Sequence, residues 1–301
     1  MNLIRPEITE ERLEEIRCVI KENPEWNRTK ISKHICKIWQ WQSPTGQLKD
    51  ISCRDMLRKL DKEGKISLPA PMRPPRPIGC PSIIRHIEHD TTPIVKSLSE
   101  VRPLYIENVN SREKLAIFKS CIDLYHYLGF DRTVGENMKY MVYSRDGKLL
   151  SCLLFGSAAW SCRERDEFIG WDKTQRARGL INMTNNTRFL IPQWIRVPHL
   201  ASHILALIAR QISNDWEIKY GHPVCCLETF IENARFVGTC YKAANWIRVG
   251  STTGLGRNGG HKHAILPIKD IYLYPLVKDF RSALTCDNYF SLLRGEVSYE
   301  N

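Results

Sequence analysis

The chain has 301 residues, 43% of them hydrophobic, and a formal net charge of +11 at pH 7. That length and apolar content suit one small and one medium globular domain and exclude disorder as the default state. No run reaches the roughly 18 apolar residues of a membrane span, and residues 1–15 lack an apolar signal core, so a cytoplasmic protein without a membrane partner is expected.

Thr9 can cap a first helix carrying Leu13, Ile16 and Ile20 at helical spacing, with Asn23-Pro24 at its end. Asn27 or Thr29 can cap a second, whose Ile31, Ile35, Ile38 and Trp39 form one apolar stripe. After the turn-rich Ser43-Pro44-Thr45-Gly46, a third helix turns Cys53, Leu57 and Leu60 inward, and Arg54, Arg58 and Lys62 stand one turn apart on another face. Gly64 suits a helix stop, and Lys65-Ile66-Ser67-Leu68 alternates as a short strand before Pro69. Three helices and a wing are therefore expected over residues 1–68, a winged-helix head in which Arg54, Arg58, Lys59 and Lys62 meet DNA. The other reading of that face is a solvated helix surface in a protein-interaction domain.

Residues 69–77 are Pro-Ala-Pro-Met-Arg-Pro-Pro-Arg-Pro, which can form neither a helix nor an interior strand, and residues 69–103 are expected to be a Pro/Arg-rich linker. An α/β domain is expected over 104–285, followed by a tail over 286–301. Within it, Ser111 caps a helix with Leu115, Phe118, Ile122 and Tyr125 inward, closed by Gly129. Residues 138–144 and 148–155 flank the turn Arg145-Asp146-Gly147 as a hairpin, and Asp172 with Gln175 opens a short helix. A strand over Thr187–Trp194, a helix with Leu200, Ile204, Leu207 and Ile208 on one face, a strand over Val224–Ile231, another helix and a last hairpin near Ala264–Ile268 follow. This order specifies a mixed sheet with helices.

The run Phe236-Val-Gly-Thr-Cys-Tyr241-Lys-Ala-Ala-Asn-Trp246-Ile-Arg-Val-Gly250 resembles the closing helix and strand of the GNAT acyltransferase fold. The runs Arg165-Asp166-Glu-Phe-Ile-Gly170-Trp171, Asn186-Thr-Arg-Phe-Leu-Ile-Pro192, Arg196-Val-Pro-His-Leu-Ala-Ser202, Glu228-Thr-Phe230 and Gly238–Trp246 resemble the DruA family of Druantia anti-phage systems, from the head to about Phe280. That second resemblance implies anti-phage defence, other Druantia proteins as partners, and a life among phage and mobile DNA, since relatives occur joined to transposase-like regions.

The GNAT resemblance implies Tyr241 as general acid and acetyl-CoA as cofactor. Against the cofactor, the loop Ile195-Arg196-Val197-Pro198-His199-Leu200 has no glycine, and Pro198 removes a donor, which makes a poor phosphate cradle. Arg176-Ala-Arg178-Gly179 has the right composition but precedes the strand. Gly254–Gly259 fits GxGxxG yet lies ahead of a strand rather than between a strand and a helix; it reads as a hairpin tip or as a phosphate-contacting loop with Arg257 and Lys262.

Glu228 stands in an apolar strand, where an ionised carboxylate is costly unless paired or used. Asp166 could join it in holding Mg2+ for phosphodiester chemistry, or either could be a general base; the alternative is structural pairing with Arg188 or Arg196. His199 and His203 lie one turn apart, but no glutamate follows the first, so an ordinary histidine pair is expected rather than a metal site. The 11 cysteines are scattered, with no CxxC spacing, and read as reduced core thiols without zinc. Trp160, Trp171, Trp194 and Trp246 lie near arginines, suited either to stacking on unpaired bases or to a core.

The chain is thus read as a winged-helix head on a GNAT-like α/β domain. DNA, in single strands or duplex, is the expected partner, contacted by Arg54, Arg58, Lys59, Lys62, Arg188, Arg196, Arg248, Arg257 and Lys262. Asp166, Glu228 and Tyr241 are the candidate catalytic residues. Three functions stay open: nucleic-acid processing, acyl transfer, which the loop disfavours, and a non-enzymatic scaffold; self-association is also open.

Overall fold

The computed structural model describes residues 6–42, 48–72, 84–255, 266–286 and 289. The chain forms two compact units, Met1–Pro81 and Ser82–Asn301.

The first unit is built on α1 (Glu10–Glu22), α2 (Arg28–Ile38) and α3 (Asp50–Lys62). The Thr9 hydroxyl accepts from the Arg12 amide, and the Asn27 carbonyl oxygen accepts from the amides of Thr29 and Lys30, so two helix starts have side-chain caps. Leu13, Ile16, Ile31, Ile35, Leu57 and Leu60 share one core, closed by Trp41. The expected turn at 43–46 lies outside the described residues, but Gln42 and Leu48 on either side of it form an antiparallel bridge.

No strand forms over Lys65–Leu68. Gly64 takes the left-handed conformation at φ 71° and Ile66 is buried, as expected, but side chains satisfy the backbone that follows. Arg17 donates to the Lys65 carbonyl, the Leu68 amide donates to Asp61, and Arg28 donates to the Pro69 carbonyl. With those groups paired, no second strand is required to hold the segment.

The second unit holds β1 (Ile94–Val95), α4 (Leu98–Val101), β2 (Tyr105–Asn108), α5 (Arg112–Tyr125), β3 (Asn137–Tyr143), β4 (Leu149–Ser157), α6 (Arg163–Ile169) and α7 (Lys173–Gly179). It continues through β5 (Met183–Leu190), β6 (Ile195–Arg196), α8 (Leu200–Tyr220), β7 (Cys226–Glu232), α9 (Thr239–Ala243), β8 (Ile247–Ser251), β9 (Lys269–Pro275) and α10 (Phe280–Thr285). The main sheet runs β2-β3-β4-β5-β7-β9-β8, antiparallel except for the central β5–β7 pair. Alternation along β4 serves both faces: Leu153 and Phe155 join the α8 stripe of Ile204, Ile208, Ile212 and Trp216, whereas Cys152 and Leu154 pack with Phe118 and Ile122 of α5.

The mixed α/β class and the helical start agree with the sequence. Boundaries moved where proline or pairing intervened. The strand expected over Thr187–Trp194 is β5, which ends at Leu190 ahead of Pro192, and the one expected near Ala264–Ile268 begins at Lys269. Residues 84–103, read as spacer, are tied to the second unit. The Ile87 amide donates to Ser120, β1 pairs parallel with β6, and the Arg145 amide donates to the Val101 carbonyl.

One irregularity positions everything that follows. The β5–β7 ladder pairs only Met183–Asn185 with Cys226–Glu228, and past that point β5 and β7 run on without pairing with each other. Among the described residues every cysteine is free, and no helix is long and apolar enough to cross a membrane.

Candidate functional site

Glu228, the last residue of β7 to pair with β5, is fully buried, and so is Arg165 in the middle of α6. The Arg165 guanidinium donates to Glu228 Oε2 at 2.9 Å and to Asp166 Oδ1 at 2.7 and 2.9 Å. A fourth bond from Arg165 reaches the Ala159 carbonyl, and the Ala159 amide returns one to Glu228 Oε1 at 2.6 Å. Asp166 is completed by the Trp171 indole at 3.0 Å and by Arg176 at 3.0 Å. Burial pushes the Glu228 carboxyl up, and the Arg165 charge opposes that shift. Burial pulls Arg165 down, but Glu228 and Asp166 outweigh it and hold the guanidinium above its ordinary range.

The two candidate carboxylates are therefore brought together, with a guanidinium shared between them. Their partners are Arg165 and Arg176 rather than the expected Arg188 or Arg196; Arg188 donates instead to the carbonyls of Gly129 and Thr187. The site does not fit Mg2+, because Arg165 already supplies the cation to both carboxylates. Among the described residues no group of three or more His, Cys, Asp or Glu side chains converges as metal ligands.

Tyr241 on α9 lies where β5 and β7 part. Its hydroxyl donates to Asn186 Oδ1 at 2.7 Å, and the Thr229 hydroxyl donates to the Asn186 carbonyl at 3.0 Å, so side chains bridge the strands where the ladder stops. Burial pushes the Tyr241 phenol well above its ordinary range. Asn186, which sequence reasoning did not single out, is the hub: its amide also donates to the carbonyls of Leu154 and Arg188.

The loop before α8 borders a cavity of about 950 Å³ lined by residues 195–202 with Lys96, Thr239 and Cys240. Pro198 offers no amide there, and the loop has no glycine, so it lacks the run of consecutive backbone donors with which a helix start holds a pyrophosphate. Of the four tryptophans, only Trp160 is largely exposed, at 66%. Trp171 and Trp246 are buried, and Trp194 packs edge-on against Tyr125.

The candidate nucleic-acid residues divide among several elements. Arg54 is half-buried and bonded to Asp50 and Thr29. Arg58 is exposed and paired with Asp55; Lys59 and Lys62 are exposed. With Lys49 and Trp41, these three border a groove of about 670 Å³ on the outer side of α3. Arg196 is exposed beside the α8 cavity, and Arg248 is held by Asp270 at 2.8 Å. Arg257 and Lys262 lie outside the described residues.

Fold and geometry define a two-unit protein. Its mixed α/β body encloses its acidic candidates, Glu228 fully and Asp166 for the most part, while the candidate cations Arg196 and Arg248 are exposed. Residues 82–261 match the family model of Druantia protein DruA, and the chain belongs to that family. The head lies outside the matched range. No curated protein matches the sequence. Among solved structures, spermidine N-acetyltransferase from Vibrio cholerae is 7% identical, with 58% of this chain and 95% of that chain covered and a TM-score of 0.38. An N-acetyltransferase from Staphylococcus aureus Mu50 is 10% identical, over 57% and 97%, with a TM-score of 0.33. At such values the likeness is a partial one of fold and carries nothing about activity.

Proposed function

We propose that this Druantia-family protein serves anti-phage defence by binding phage or mobile-element DNA, with α3 of the head as its duplex-contacting surface and the body as a scaffold rather than a nuclease. One observation carries the reading: Arg58, Lys59 and Lys62 stand exposed on a single helix, beside a groove in which Asp55 is the acidic lining residue. An exposed cationic helix face is what a duplex backbone selects, and counterion release makes such binding steeply salt-dependent. The scaffold part of the reading is supported by the carboxylates, since Asp166 and Glu228 are both engaged by Arg165 and Glu228 is fully enclosed away from solvent.

The test is duplex DNA binding followed across a salt series. Lys59→Glu with Lys62→Glu is expected to weaken binding at least about tenfold at 100 mM salt and to lower the slope of log K against log salt by about 1.8, at roughly 0.9 per phosphate contact. Unchanged affinity and slope would remove α3 as the contact surface. Magnesium-dependent cleavage of labelled DNA that Glu228→Gln abolishes, in a variant that melts like the parent, would replace the scaffold with an enzyme.

A further inference from the structure

Along the side of α8 runs a groove of about 740 Å³, lined by His199, His203 and Arg210, with Asn245, Tyr274 and Leu98 among the facing residues. The three basic residues are spaced at i, i+4 and i+11, so they share one stripe of the helix and span about 16 Å of it. Ser202, Ala206, Ala209 and Ser213 are the small residues that leave the space open between them and α9. Among the described residues no carboxylate lines the groove.

The positive charge here has no internal partner. Among the described residues, the side chains of His199, His203, Arg210 and nearby Arg102 make no hydrogen bond or ion pair. Arg102 is the exposed C-cap of α4, whose first residue Leu98 lines the groove. Partial burial, followed by the charges of Arg102 and Arg210, holds the His203 imidazole below its ordinary range. Four other arginines of the body, Arg165, Arg176, Arg188 and Arg248, are spent on carboxylates or carbonyls. Two of the three non-glycine residues with positive φ among the described residues, His199 at 63° and Asn245 at 62°, also line this groove, and such backbone gathers at functional positions.

We infer that the α8 groove is a second nucleic-acid site, one that takes the phosphate backbone of a single strand with Arg102, His203 and Arg210 as its contacts. The inference deepens the DNA-binding reading and rests on it for the polymer's identity. Two separate guanidinium groups, Arg102 and Arg210, near the His203 imidazole favour a ligand with more than one phosphate over a single phosphate. Concavity favours one strand over a duplex, whose rod shape suits the open face of α3. Tyr274 adds an aromatic ring to the lining, the combination of cations and aromatic surface by which unpaired strands are held.

The test uses the full chain and a labelled 20-nucleotide oligodeoxythymidine, read by fluorescence anisotropy at several salt concentrations. Arg102→Ala with Arg210→Ala is expected to weaken binding about tenfold and to lower the salt slope by about 1.4, at roughly 0.7 per phosphate contact on single strands. Arg102→Lys with Arg210→Lys should keep the slope, which separates charge from damage to the fold. The same alanine pair should leave duplex binding nearly unchanged, because α3 carries it.

Two results would overturn the inference. One is an unchanged affinity and slope in the alanine pair, tested both alone and together with Lys59→Glu and Lys62→Glu. The other is competition by inorganic phosphate or coenzyme A as effective, per phosphate, as that by unlabelled oligonucleotide, which would make the groove a small-anion pocket. If the α3 variants are silent while the α8 variants lose the single strand, the head reading fails and this one stands; the reverse pattern does the opposite.

Discussion

A buried arginine between two carboxylates governs what Glu228 can do. The network of Arg165, Glu228, Asp166 and the Ala159 backbone is satisfied on every side, and removing one member strands the others in a medium that cannot solvate them. Glu228→Ala is therefore expected to cost about 3–5 kcal/mol, the range for breaking a buried pair from one side, read as the shift of the body's urea midpoint. An unchanged midpoint would mean that the ion pair is not structural.

His126 offers a second test at the same scale. Burial, followed by the nearby Arg188 charge, lowers its pKa to about 4, and its Nδ1 accepts from the Leu128 amide, a role that only the neutral ring can play. In the unfolded chain the ring protonates near 6.5, so as pH falls from that value towards 4 the unfolded state binds the proton first and stability drops. Urea midpoints measured between pH 7 and 4.5 should fall more steeply for the parent than for His126→Gln; parallel profiles would contradict the assignment.

How much of the candidate site was legible follows from these contacts. An acid inside an apolar strand is visible by type, so Glu228 could be singled out, and Asp166 stood next to Arg163 and Arg165 in the sequence. The partner was not legible, because Arg165 lies 63 positions from Glu228 and reaches it only through the placement of α6. The α8 groove stayed hidden for the same reason: His199 and His203 are neighbours in sequence, whereas Arg102 comes from the end of α4.

At the scale of elements, long amphipathic helices and capped starts were readable because their signals are local: Thr9, Asn27, Ser111 and Asp172 all cap as their side chains allow. The misses were short pieces. A strand of two residues such as β1 has no period to detect, and it exists because Ile94 and Val95 find β6 a hundred residues away. The segment after Gly64 failed in the other direction, since alternation suggested a strand that no partner strand completes.

The seam between α7 and α10 is another long-range dependence, and it makes a sharp prediction. A Cβ on Gly179 would lie 2.2 Å from the Leu284 carbonyl oxygen and 3.0 Å from the Trp171 ring, so the two helices can approach only over a glycine. Gly179→Ala must push backbone apart, and overpacking of this kind costs about 1–3 kcal/mol. Thermal unfolding should show that loss for Gly179→Ala, whereas Gly147→Ala, at a turn with nothing within 4 Å of the added carbon, should show only the strain of its φ of 73°.

For the whole molecule, the division into Met1–Pro81 and Ser82–Asn301 is also a division of cores. The cluster around Ile16, Ile35 and Leu57 shares no residue with the three clusters of the body. A small three-helix unit has little stability to spare, and deleting most of a buried isoleucine costs about 2–5 kcal/mol, a large part of what such a unit possesses. Ile35→Ala should therefore unfold the head and leave the body's calorimetric transition where it was. If α3 and the α8 groove divide the ligands as inferred, that variant loses duplex DNA and keeps oligodeoxythymidine. A single transition that shifts as one, with both ligands lost together, would show instead that the two units depend on each other for their folds.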